Sequence, residues 1–90
     1  MELEDLIIFK KALFQSNFIN ESELLKVMKP LTSSDSIWKP HALLLLGDYF
    51  FSKKQHLKGK EFYIKVLSLK NLHNNLYDYA QSQLILVNNE

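Results

Sequence analysis

Two glycines and two prolines are all that ninety residues contain, and this scarcity limits the fold more than any other feature. Chains of many short strands need positive-φ turns and rigid corners, which those two residue types supply most readily. Helices need few of them, so an all-α fold is expected. The apolar share of 47% and charged share of 23% are those of a globular chain, and ninety residues suffice for one small domain.

The charged residues exclude further classes. All eleven basic residues are Lys, with no Arg to present the planar fork that reads guanine edges or grips phosphate at two points. Residues 1–36 carry six acids against four Lys, a balance of −2, and residues 37–90 carry seven Lys against four acids, a balance of +3. Neither half is basic enough to be an electrostatic footprint for nucleic acid, which is the least favoured partner. Cysteine is absent, which removes disulfides, thiolate nucleophiles and Cys-containing zinc sites. The start, Met-Glu-Leu-Glu-Asp, is acidic where a leader is basic, and no apolar run approaches the ~20 residues of a membrane span. A soluble, cytoplasmic protein is the expectation, either whole or as a piece of a longer chain.

Periodicity then divides the chain into five helices. Leu3, Leu6, Ile7, Ile8, Ala12, Leu13 and Phe14 follow a 3.6-residue period, with Phe9 widening the stripe. Gln15-Ser16-Asn17 ends this first helix. Asn20 followed by Glu23 predicts an N-cap, with Ile19 and Leu24 as a hydrophobic staple. The second helix is expected from Glu21 to Lys29, stopped by Pro30, with Leu24, Leu25, Val27 and Met28 on its apolar face. The segment from Leu31 to Lys39, with Thr32, three serines and Asp35, reads as a linker.

Pro40 suits a first turn, and the third helix runs through His41–Phe51 to Lys53 and Lys54, cations that complement its C-terminal dipole. It is apolar almost all round. The fourth helix is expected from Gln55 or Leu57 to Leu69, with Gly59 near its start and Phe62, Tyr63, Val66 and Leu67 on one face. Asn74 or Asn75 is expected to cap a fifth helix through Val87, with Leu76, Tyr77, Ala80, Leu84 and Val87 on one stripe.

Leu43, Leu46, Gly47 and Phe50 resemble the W-x2-L-G-x2-Y half of a tetratricopeptide repeat, a 34-residue helical hairpin. Gly59 stands where the family has a small residue, Tyr63 at the next aromatic position, and Asn71 at the family's proline. Gly47 and Gly59 would let two antiparallel helices approach closely, with Phe50 and Tyr63 filling the space beside them. A shift of one repeat gives Tyr77, Ala80, Gln81 and Leu84, a following helix.

The resemblance covers about half the chain. It implies a single domain over 1–90: a degenerate hairpin at 1–30, the repeat-like hairpin at 40–73, and a following or capping helix at 75–88, about five antiparallel helices forming a fragment of a right-handed superhelix. In that family the first helix of each hairpin lines a groove for another protein. The groove-facing positions implied here are His41, Leu44, Leu45, Asp48 and Ser52. Leu44 and Asp48 replace the Lys and Asn with which chaperone-binding members clamp a carboxylate, so an acidic chaperone tail is not expected. An amphipathic helix or an apolar peptide is the implied occupant, and a second copy of the chain is the alternative.

Each candidate also has a plainer reading. The run Leu43–Leu46 reads first as a central helix buried in the chain and second as a partner surface. Lys53, Lys54, His56, Lys58 and Lys60 read first as a solvated turn that maintains solubility. Asp48, alone in an apolar helix, is expected to pair with a Lys of its own chain rather than a partner's cation. Trp38 is expected to tuck against the third helix, with a partner anchor as the alternative. His41, His56 and His73 lack the i, i+4 spacing of a helical metal site. No catalytic, cofactor-binding or metal-binding constellation is expected, and a binding role is favoured over an enzymatic one.

Overall fold

In a computed structural model, which describes residues 2–15, 20–33 and 36–89, every regular element is a helix. These are α1 (Glu2–Gln15), α2 (Glu21–Thr32), α3 (Lys39–Ser52), α4 (His56–Leu67) and α5 (Asn74–Asn88). The expected all-α class is therefore what the chain adopts. Where the sequence reads one domain, the contacts group into two units, Met1–Ala42 and Leu43–Glu90, divided within α3.

In the first unit α1 packs on α2. Asn20 caps α2: its side-chain oxygen accepts the Glu23 N–H at 2.9 Å, filling one of the bonds that a helix start lacks. Ile19, the other half of the expected staple, and Ser16-Asn17, the expected break, lie outside the described residues. α2 does not stop at Pro30 but runs to Thr32 with Pro30 inside it. Leu24, Met28 and Leu31, at i, i+4 and i+7, are all fully buried, so burial of Leu31 holds the last turn that Pro30 weakens. The Ser33 N–H and hydroxyl both donate to the Lys29 carbonyl, closing that turn. Leu25 is exposed, against expectation, and so are Ile7, Leu13 and Phe14 of α1, whereas Ala12 of that helix is fully buried. Two helices packed on each other bury only one side of each, and the apolar stripes read from the sequence are wider than that side.

Trp38 stacks on Phe9 of α1 with ring centroids 5.6 Å apart and also meets His41 of α3 at 5.1 Å. The contact with α3 was expected; the stack on α1 was not. His41 edges onto Phe9 as well, and its buried Nδ1 has no hydrogen-bond partner. Burial holds the His41 pKa below its usual 6.5, since desolvation penalises the imidazolium. With the folded-state pKa depressed, the unfolded chain binds the proton more readily. Stability is then complete above pH 6.5 and falls as the pH drops from there through the lower folded-state pKa. Denaturant midpoints followed by Trp38 fluorescence should show this fall, and His41→Gln should remove it; an equal slope in both chains would exclude His41 as its source.

In the second unit, α3 turns into α4 through Lys54, whose φ of 60° is left-handed. Its N–H donates to Phe51 and the Gln55 N–H to Phe50, the paired bonds of a Schellman C-cap. Lys54 therefore terminates α3 through its backbone, beyond the dipole role expected of its charge. α4 follows at His56, and Gly59 meets α3 so closely that a Cβ there would lie 3.2 Å from the Gly47 carbonyl oxygen. At Gly47 a Cβ would lie 2.6 Å from the Tyr63 ring. The two glycines thus make the close approach expected of them. Phe50 stacks flat on Phe62 at 5.5 Å.

α4 packs on α5, and the core of this unit is Leu43, Leu44, Tyr63, Val66, Ala80 and Val87. α5 is preceded by His73 at the cap position rather than Asn74 or Asn75, and the His73 carbonyl accepts the N–H groups of Leu76 and Tyr77. Tyr77 is exposed rather than on the buried stripe. Asn71 is left-handed, with φ 57°, a conformation that the ring of proline does not permit. The family's proline could not stand there without changing the turn.

Candidate functional site

Asp48 is half-buried on α3, one turn before Ser52. Because Gly47 has no side chain, the Tyr63 ring of α4 lies flush on α3 and its hydroxyl donates to the Asp48 carboxylate. From α5, the Tyr79 hydroxyl donates to the other carboxylate oxygen at 2.8 Å. Gln83, one turn further along α5, brings its amide to 3.3 Å from Asp48 and 3.4 Å from the Tyr63 hydroxyl. Two helices, α4 and α5, thus converge on one carboxylate of α3 through three neutral donors.

Burial raises the pKa of Tyr63 far above the phenol range, and its hydrogen bond to Asp48 adds to the shift. Tyr79 is pushed up to about 12, again by desolvation first and Asp48 second. Both phenols keep their protons at neutral pH and remain donors. Asp48 therefore does not pair with a Lys, as expected, but is held by two phenols and an amide. A half-buried carboxylate is costly unless its lone pairs are filled, and these donors fill three of them.

Beside this network opens a pocket of about 520 Å³ lined by Asp48, Phe51, Ser52, Lys54, His56 and Gln83. An acid, a hydroxyl and an imidazole share it, yet their bonds run elsewhere. The Ser52 hydroxyl donates to the Tyr49 carbonyl at 2.7 Å, and His56 edges onto the Phe51 ring at 5.4 Å. A serine nucleophile needs its proton directed at a base, and Ser52 directs its own to a backbone carbonyl. Among the described residues no three His, Asp or Glu side chains gather as metal ligands would. No described helix is long and apolar enough to cross a membrane.

The five positions implied by the resemblance separate. Asp48 and Ser52 both line the pocket. Leu45 is half-buried on the same helix, whereas Leu44 is only 7% exposed and belongs to the core. Leu44 is therefore corrected from a groove residue to a packing residue: its neighbours are Tyr63, Val66, Ala80 and Val87, and a side chain enclosed by them cannot meet a partner. His41 belongs to the Phe9 and Trp38 cluster of the first unit.

The sequence reading missed Tyr79 and Gln83, although their i, i+4 spacing puts both on one side of α5. It took Tyr63 for a packing residue only. The basic cluster is largely occupied: the Lys53 ammonium lies over the Tyr49 ring at 5.5 Å and that of Lys58 over Phe50 at 5.3 Å, contacts worth about 0.5–1 kcal/mol at exposed sites. Lys54 is the member that, with His56, reaches the pocket. No protein-family model matches the chain, and no curated protein or solved structure does either.

Proposed function

We propose that the chain is a tetratricopeptide-like interaction module, acting by binding rather than by chemistry, and that it receives a peptide or helix of another protein on the α3 and α5 side of Asp48. The observation that carries this reading is an apolar margin beside a fixed polar centre. Tyr79 and Leu86, on the side of α5 that carries Gln83, are 43% and 51% exposed. Both stand one repeat length of 34 residues beyond Leu45 and Ser52, so equivalent faces of the two helices would line one surface. The order of contacts between α3 and α4, Gly47 with Tyr63, Phe50 with Phe62 and Phe51 with His56, supports an antiparallel hairpin. Aromatic and aliphatic anchors around a desolvated polar centre are the composition of a binding hot spot.

The second reading is self-association, which the other exposed apolar residues favour, above all Leu57 at 83%. Mass by light scattering over a concentration series separates the two. The module reading predicts the monomer mass of 10.6 kDa throughout. A parent chain that doubles its mass, and a Leu57→Glu chain that does not, would replace it with a homodimer closed through α4.

A further inference from the structure

The Asp48 carboxylate is bordered by an open pocket but is not balanced by a cation of its own chain. Its three partners are neutral, and among the described residues no Lys or His comes within 4.0 Å of it. The donors fix its position and leave acceptor capacity toward the pocket, since a carboxylate offers about four lone-pair sites. The same pocket presents the Phe51 side chain and, further along the chain, Lys54 and His56. An occupant that complements all of this surface carries both signs of charge and an apolar stem between them.

We infer that the pocket receives a basic side chain of the partner, its guanidinium or ammonium group paired with Asp48, its methylene stem against Phe51, and an adjacent carboxylate facing Lys54 and His56. The inference rests on the module reading and names the chemistry of what is bound. A preformed carboxylate suits this role because its donors hold it before the ligand arrives, so little ordering is left to the moment of binding. The lone-pair direction that the three donors leave free can accept one charge-assisted bond from a guanidinium or ammonium N–H. Lys54 and His56 disfavour a cation arriving without a neighbouring anion, and this gives selectivity for a basic residue beside a carboxylate over a purely basic segment.

The whole chain, labelled with nitrogen-15, is titrated with three small probes: N-acetylarginine, N-acetylcitrulline, which lacks the cation, and N-acetylarginine amide, which lacks the carboxylate. N-acetylarginine is expected to give saturable shifts at the amides of Asp48, Ser52, Lys54, His56 and Gln83. Citrulline should bind about tenfold more weakly, the loss of one charge-assisted contact, and the amide form should also bind more weakly. In Asp48→Asn the difference between arginine and citrulline should vanish. Equal affinities for all three probes on the parent chain, or shifts that never saturate, would overturn the inference whether or not that variant folds. The probes address the pocket without any partner protein, so a negative result here leaves the module reading to be judged separately.

Discussion

Leu44→Glu is expected to unfold the second unit or to lower its stability by about 4–5 kcal/mol, the range reserved for an unpaired charge forced into a core. Leu44 is enclosed with Tyr63, Val66, Ala80 and Val87, and none of these can accompany a carboxylate with a hydrogen bond except through the Tyr63 hydroxyl, which Asp48 already takes. A ninety-residue chain has a total stability of roughly 5–13 kcal/mol, so little or nothing would remain. Leu86→Glu, on an exposed position of α5, should change stability by no more than about 0.5 kcal/mol. Urea unfolding followed by circular dichroism compares the two directly. A Leu44→Glu chain with the parental midpoint would mean that Leu44 faces solvent and that the core has been assigned to the wrong side of α3.

Gly47→Ala should cost about 1–3 kcal/mol, the range for overpacking a filled interior. Helix propensity argues the other way, since alanine is favoured over glycine by about 1 kcal/mol in a helix. Sterics decide. The new methyl carbon would stand 2.6 Å and 2.9 Å from two ring atoms of Tyr63, and that ring is fully buried, so it cannot swing aside. Moving it also draws its hydroxyl from Asp48 and Gln83, which couples the packing defect to the polar centre. In a Tyr63→Leu background the same alanine should become neutral or stabilising, with a coupling of at least about 1 kcal/mol between the two positions. Additive effects would show that Gly47 is not what admits the tyrosine ring.

These cases also mark where the sequence was informative. Asn20 with Glu23 was legible because a cap is a short-range rule that bonds three residues ahead, whereas Gly47 and Gly59 were legible through the resemblance, whose spacing carries the close approach of two helices. The extent of α2 was not, because the local effect of Pro30 is outweighed by burial of Leu31, which depends on tertiary packing. Leu44 and Leu45 illustrate the same limit. In a helix apolar almost all round, periodicity cannot say which side faces the core, and only the positions of α4 and α5 do. Asp48 could be recognised as needing a partner, yet its donors come from 15, 31 and 35 residues away. No spacing rule links those positions, and the expectation of a Lys followed charge where the structure uses phenols and an amide.

The central claim, that the side of α5 bearing Tyr79 and Leu86 receives a partner beside Asp48, is tested most directly by quantitative affinity capture from a lysate of the source organism. Three immobilised chains are compared: the parent, Leu86→Glu, and Leu57→Glu, which places the same charge on an exposed residue of α4 that does not line the pocket. The account predicts at least one protein retained by the parent and by Leu57→Glu but reduced about tenfold or more by Leu86→Glu, the effect of disabling a binding hot spot. The same proteins in the same amounts on all three chains would contradict it.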